Sequence, residues 1–522
     1  MAIDATTPWE ALTPLSFLER SGAVFADRTA FIDGASRLTY GELFDRVRRL
    51  AGALREQGIG PGDFVAVLAP NRHHLLEAHF GVPATGATVV PLNTRLATPE
   101  LTYILEHCGA RTLLVADELA ERGVPAADDA AHDIEVVHLG GSRDTYEQLL
   151  AAARPWWQRP DDEGSLLAVN YTSGTTGRPK GVMYHHRGAY LQGMAMALHS
   201  RLSSDSTFLW TLPMFHCNGW CFPYAVTAVG ATHVGLPRVD PAEIWRLIEE
   251  HDVSHLNAAP TVLIDLVRHP DARPRPEHRP IQVATGGAPP SPTLLEQLAD
   301  LRIEVTHLYG LTETFGPSVI CEEPPEWRDL PADQLARRKA RQGVPNAVGG
   351  RIRVIAPEGT DVPADGQAMG EVALRGNTIM AGYLHDAEAT RQAIPDGWFR
   401  TGDLGVMHPD GYVELRDRSK DIIVSGGENI ASIEVEQAIA SHPAVAEAAV
   451  VAGQHPRWGE TPVAFVTLHA DATVSAEDLI AHTKQRIASY KAPTRVEFRE
   501  LPRTSTGKIQ KYRLRELAND AE

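Results

Sequence analysis

The first 400 residues alternate short apolar runs with helical patterns, and this alternation constrains the fold more than any single motif. Residues 63–69 form a Phe/Val/Ala/Leu run that predicts a strand. Residues 71–81 predict a helix with Asn71 as a plausible cap, and 87–92 predict the next strand. A parallel strand pair needs a long crossover connection, and an intervening helix supplies it. The expected class is α/β, with a large N-terminal domain of mostly parallel sheets flanked by helices. Beyond the Asp410-Gly411 turn signal the pattern changes: 433–440 and 476–487 read as helices, 445–451 and 463–468 as strands. That is enough chain for a small α+β C-terminal domain, with the boundary near Lys420. The segment 322–341, rich in Pro, Glu and Arg, predicts a surface excursion.

Charge narrows the function classes. The 522 residues carry 49 Lys and Arg against 67 Asp and Glu, a formal charge of −18. Such a balance argues against nucleic acid and against anionic membrane surfaces. One segment departs from it: 484–515 holds ten basic residues and two acidic ones, a face suited to polyanions or simply a solvated one. The four cysteines form no C-x-x-C pair and predict reduced thiols and a cytoplasmic location. Cys217 and Cys221 lie near a histidine, but no second Cys/His pair follows at zinc spacing. The first twenty residues lack a basic start with an apolar run, so no signal peptide is expected. The most apolar stretch, 222–236, is short and interrupted, which predicts buried core and no membrane span.

A strand-like run, 166–171, leads into Thr172-Ser173-Gly174-Thr175-Thr176-Gly177-Arg178-Pro179-Lys180-Gly181. Small, hydroxylic and glycine residues expose N–H groups and hydroxyls to an anion, and Lys180 adds a positive charge. The loop is not a Walker A motif: Pro179 stands where the second glycine belongs, and Gly181 follows the lysine. A helix N-terminus at this loop is therefore not assured.

This loop resembles the signature of the adenylate-forming superfamily, which includes acyl-CoA synthetases, peptide-synthetase adenylation domains and luciferases. The likeness continues, in family order, at Thr285-Gly286-Gly287-Ala288-Pro289, Tyr309-Gly310-Leu311-Thr312-Glu313, Thr401-Gly402-Asp403, Arg416-Asp417-Arg418-Ser419-Lys420 and Thr504-Ser505-Thr506-Gly507-Lys508. The resemblance implies a large domain over 1–417, a hinge at 418–421 turning on Lys420, and a small mobile domain over 422–522. It implies ATP, Mg²⁺ and CoA as cofactor and co-substrates. It places the adenine beside Gly286, Gly287 and Ala288, and stacks Tyr309 on it. Gly310 stands in the same motif, and Thr312 meets a phosphate. Glu313 is the implied metal ligand, Asp403 and Arg418 are the ribose contacts, and Lys508 supplies the catalytic ammonium. Gly427, in Ser425-Gly426-Gly427-Glu428-Asn429, lines a pantetheine tunnel by the same likeness.

The segment Pro213-Met214-Phe215-His216-Cys217-Asn218-Gly219-Trp220 resembles the family's border of the carboxylate pocket. His216 matches a residue near the acyl carbonyl; it orients or gates, since a carboxylate needs no base at neutral pH. Acetate-specific relatives carry Trp where Gly310 stands, so Gly310 suggests room for a larger acid, with Trp220 and Phe315 closing other sides. The reading favours a short- to medium-chain or aryl carboxylate. Delivery to a carrier protein in trans, another oxyanion substrate, or a non-catalytic nucleotide binder are the alternatives. The family is often dimeric, which leaves a homodimer open.

Overall fold

Thr39 accepts the Glu42 amide at 3.2 Å while the Glu42 carboxylate accepts the Thr39 amide at 2.8 Å, and this reciprocal cap starts the helix Tyr40–Glu56. Its apolar face, Leu43, Val47, Leu50 and Leu54, is fully buried. Amphipathic helices packed against apolar strands build the rest of a computed structural model. It describes residues 9–520 except 173–178, 288–289, 291, 419–420, 426–427, 456–457, 471 and 504–508. The side chains of 292, 332, 333, 418, 428, 429 and 520 lie outside the description as well.

The chain divides into two compact units. The first comprises Met1–Pro324, Pro345–Arg351 and Arg375–Phe399. One of its sheets has seven strands, with Thr88–Pro91, Phe64–Leu68, Ala110–Ala116 and Glu135–Leu139 in a parallel core. Leu166–Thr172 joins that core in parallel, and Lys180–His185 and Gly382–Tyr383 finish the edge antiparallel. The other sheet has nine strands. Six consecutive ones run parallel: Ile303–Leu311, Ile281–Thr285, His255–Ala258, Thr207–Leu209, Thr232–Val234 and Thr29–Asp33. Helices Pro241–Glu250, Pro260–Arg268 and Pro292–Asp300 cover one face through Ile244, Leu263 and Leu294. Helices His186–His199 and Phe222–Val229 cover the other through Met196 and Phe222. Parallel sheets buried on both faces are the expected α/β architecture. The apolar stretch 222–236 lies inside it as a buried helix and strand.

The second unit comprises Pro325–Val344, Ile352–Leu374 and Arg400–Glu522. A four-stranded sheet, Arg351–Ile355, Met369–Arg375, Phe399–Met407 and Val413–Arg418, forms one part. A second sheet pairs Ile423–Ser425, Glu428–Ile430, Gly459–Leu468, Val445–His455 and Arg495–Phe498, with helices Ser432–Ala440 and Ala476–Lys484 packed on it.

Two expectations need correction. Asn71 does not cap the helix expected over 71–81, which starts at His73 without a side-chain cap. Its carboxamide instead donates to the Trp210 and Leu212 carbonyls at 2.8 and 3.0 Å and accepts the Met214 amide at 2.8 Å, bracing the approach to His216. Nor is 322–341 merely a surface excursion. Trp327 is buried against Tyr412, with ring centroids 5.1 Å apart, and Arg338 covers its face.

Candidate active site

The strand Leu166–Thr172 turns back along its neighbour, with Thr172 opposite Lys180 in antiparallel register. The chain leaves the glycine-rich loop as a strand, and the next helix begins only at His186. Ser173, Gly174, Thr175, Thr176 and Gly177 lie outside the described residues. Their flanks are braced: the Tyr103 hydroxyl donates to the Pro179 carbonyl at 3.2 Å, and Tyr171 and His107 share a 2.7 Å hydrogen bond.

Strand pairing brings a second motif to Lys180. Tyr383 pairs with Val182, which sets its ring beneath the Lys180 ammonium, 4.9 Å from the centroid. The Tyr383 hydroxyl donates to Glu313 Oε1 at 2.8 Å. Burial pushes the Tyr383 phenol well above its usual range, and the Glu313 charge adds to the shift, so the group stays a donor. The Thr312 to Thr314 turn is pinned from every side. Tyr184 donates to the Thr312 carbonyl at 2.7 Å, Met380 N–H to the Glu313 carbonyl at 2.8 Å, and Leu311 N–H to Thr314 Oγ1 at 2.9 Å. A fixed carboxylate beside a fixed ammonium suits a metal–polyphosphate ligand. Sequence reading missed Tyr383 and Tyr184. Neither stands in a motif, and only the strand order shows that they reach Glu313 and Thr312.

The pocket border is more strained than its sequence suggests. Cys217, Asn218, Gly219, Trp220 and Cys221 all have positive φ, from 46° to 63°, a left-handed turn. Four of them are not glycine, at a cost on the order of 1–2 kcal/mol each. Such strain persists where the surroundings over-determine it, typically at functional sites. The turn's own bonds, Gly219 N–H to the His216 carbonyl at 2.9 Å and Cys221 N–H to the Asn218 carbonyl at 3.0 Å, help to hold it. His216 stands at its entry, and the Cys217 thiol lies 3.6 Å from Thr312 Oγ1, so the acyl-border segment and the Thr312 motif are in contact. Trp220 lies against two glycines. A Cβ on Gly286 would meet its ring at 3.2 Å and the Leu308 carbonyl oxygen at 2.9 Å, and one on Gly316 would meet Trp220 Cα at 3.2 Å.

A Cβ on Gly310 would lie 2.0 Å from the Gly316 carbonyl oxygen, so any larger residue here requires the hairpin backbone to shift. Phe315 is buried and stacked on Tyr184 with ring centroids 3.8 Å apart. Tyr309 is buried on the strand Ile303–Leu311. Gly287 follows Gly286 with φ +87°, and Ala288 lies outside the described residues.

In the second unit Asp403 is buried and pairs in register with Arg418 across neighbouring antiparallel strands. The Asp403 amide donates to Thr401 Oγ1 at 3.1 Å, which in turn donates to the Val372 carbonyl at 2.7 Å. Lys420, Gly427 and Lys508 lie outside the described residues. Arg503 and Ile509, which flank the Lys508 segment, form an antiparallel bridge. The basic strip is less positive than it reads. Lys491 pairs with Glu434, Lys511 with Glu436, Arg503 with Glu447 and Arg515 with Asp421. All four cysteines are buried and unbridged, and neither Cys217 nor Cys221 belongs to a metal-ligating cluster among the described residues.

Antiparallel edge strands that bring Lys180 and Tyr383 to Glu313, together with the ordered glycine and hydroxyl motifs, define the class: an adenylate-forming enzyme. The family model for AMP-binding enzymes matches residues 18–384, and that for the AMP-binding enzyme C-terminal domain matches 434–508. The chain belongs to this family. It is 41% identical to an acetate/butyrate–CoA ligase of Arabidopsis thaliana named as peroxisomal, over 98% of this chain and 95% of the other. It is 40% identical to a trans-cinnamate:CoA ligase of Petunia hybrida, also named peroxisomal, over 97% and 94%. Its fold matches an anthranilate CoA ligase solved with anthranoyl-AMP, at a TM-score of 0.88 and 25% identity over 99% of both chains. Among the described residues no helix is long and apolar enough to cross a membrane.

Proposed function

We propose that this enzyme is an ATP-dependent acyl-CoA ligase for short- to medium-chain or aryl carboxylates. The Lys180–Tyr383–Glu313 cluster carries the reading, because it joins the phosphate-loop strand to the Tyr309–Glu313 motif. In the first half-reaction the carboxylate oxygen attacks the α-phosphorus of ATP, and pyrophosphate leaves. Lys180 and Thr172, with Ser173, Gly174, Thr175, Thr176 and Gly177, bind the phosphates, and Thr312 donates to one of them. Glu313, an oxygen donor suited to a hard cation, would hold Mg²⁺, whose charge would offset that of the polyphosphate. Tyr309, Gly286, Gly287 and Ala288 take the adenine, and Asp403 and Arg418 the ribose. His216 orients the acid. Lys508 stabilises the charge that crowds both reactants.

In the second half-reaction the CoA thiol attacks the acyl carbonyl and AMP leaves. The segment 418–421 turns on Lys420 between the two, withdrawing Lys508 and presenting Gly427 to pantetheine. Using two conformations resolves the competing needs of pyrophosphate and CoA at one centre. Free, buried thiols suit a reducing compartment, and the cytoplasm is the location we favour.

The test is AMP release from ATP over a panel of carboxylates, with and without CoA. CoA-dependent turnover with at least one acid is expected. AMP formed on a carrier-protein thiol but never on CoA would overturn the reading.

A further inference from the structure

The nine-stranded sheet walls a cavity against the helix His186–His199 and Phe222. Alternation along the strands decides which side chains enter it. Leu256, Val283 and Val305 pack into the core on the opposite face, so Asn257, Ala284 and Thr306 face the cavity. Register sets these three side by side in one row, because Ala284 is the Cα partner of both Asn257 and Thr306. Gly286 continues the same face two residues onward, about 7 Å along the strand. The row therefore lies one pleat beneath the Gly286–Trp220 contact.

The row is polar and unsatisfied. Asn257 is 2% exposed, and its amide nitrogen is buried without a hydrogen-bond partner. Among the described residues no hydrogen bond reaches the Thr306 hydroxyl. A buried amide left unpaired is costly, so an orphan of this kind points to a missing ligand group. Ala284 keeps the space between the two groups open.

Charge in the cavity narrows the ligand further. His255 spends both ring nitrogens, on Ser254 Oγ at 2.7 Å and the Ser200 carbonyl at 2.9 Å. Burial pushes it down to about 4, so it is neutral. His199 is committed to Glu322 and to the Ala347 amide. The C-terminal end of the helix His186–His199 also lines the cavity, and its carbonyl dipoles oppose an anion. Among the described residues, no Lys or Arg lines the cavity.

We propose that Asn257 and Thr306 receive the distal end of the acid, and that this end carries an uncharged hydrogen-bonding group, a hydroxyl or carbonyl, roughly four to six carbons from the carboxylate. The inference deepens the ligase reading and rests on it. A plain alkyl terminus leaves Asn257 unpaired, and a second carboxylate lacks a counter-charge.

The experiment compares kcat/KM for matched pairs, ω-hydroxyalkanoates against alkanoates of equal length, with a dicarboxylate of that length as third arm. In the wild type the hydroxy acid should win by about tenfold or more at one chain length. Asn257→Leu and Thr306→Val should each shrink that ratio, because the ratio cancels general damage to the enzyme. Preference for the alkanoate at every length overturns the proposal, whether or not the variants fold. So do an unchanged ratio in folded variants and a dicarboxylate used as well as its hydroxy partner. Failure of the ligase reading is distinct: no acid of any class would give CoA-dependent AMP.

Discussion

The Tyr383 hydroxyl donates to Glu313 across 2.8 Å, while the Lys180 ammonium rests on the face of the same ring. One side chain thus fixes both the carboxylate offered to a metal and the cation offered to phosphate. Tyr383→Phe keeps the ring and deletes the bond. Pyrophosphate release should fall about 10–100-fold, as for other groups that orient a metal ligand. The Mg²⁺ concentration for half-maximal rate should rise. A metal titration identical to wild type would show that Tyr383 does not act through Glu313.

Lys508→Ala should separate the half-reactions. Adenylate formation, followed by pyrophosphate release, should drop by about a hundredfold or more. Transfer from supplied acyl-adenylate to CoA should persist at near the wild-type rate. Equal losses in both assays would contradict the exchange of Lys508 for Gly427.

Gly310→Ala should destabilise rather than re-tune specificity. The added methyl meets the Gly316 carbonyl oxygen at 2.0 Å, and the backbone must move. A loss of about 1–3 kcal/mol is expected from urea unfolding. The ranking of acids by kcat/KM should stay as in the wild type.

Acid should unfold the protein above the range of carboxylate titration. Burial pushes His233 and His186 down to about 3, and His79 and His255 to about 4, from 6.5. All four are neutral in the fold, while the unfolded chain binds protons below about pH 6.5. Stability is therefore intact above that value and declines as pH falls toward the folded values. Each histidine contributes a slope of up to about 1.4 kcal/mol per pH unit. Unfolding free energy measured from pH 7.5 to about 5 should fall accordingly, and a flat profile would refute the assignment.

Much of this was legible in the sequence. The alternation of apolar runs and helical patterns yields the α/β class because local period and tertiary burial agree: Phe64–Leu68 and Thr88–Pro91 are strands within a residue or so of expectation. Motif order yields the family. What periodicity cannot carry is the use of a side chain over long range. Asn71 reads as a cap but braces the loop before His216, and Trp327 reads as surface but packs on Tyr412. Gly310 reads as room for the acid, and periodicity gives no hint of the Gly316 carbonyl across the hairpin, 2.0 Å from where its Cβ would lie. Tyr383 and Asn257 carry no local signal, since strand order gives the first its position and strand register the second.

The left-handed turn at 217–221 also bears on how this pocket can be re-engineered. β-Branched residues are the least tolerant of that backbone, whereas Gly, Asn and Asp accept it most readily. A library that varies Cys217, Asn218 or Trp220 freely would spend most of its members on chains that cannot make the turn. Change in acid preference is then channelled to positions on ordinary strand geometry, where side-chain size and polarity can vary without paying a conformational toll.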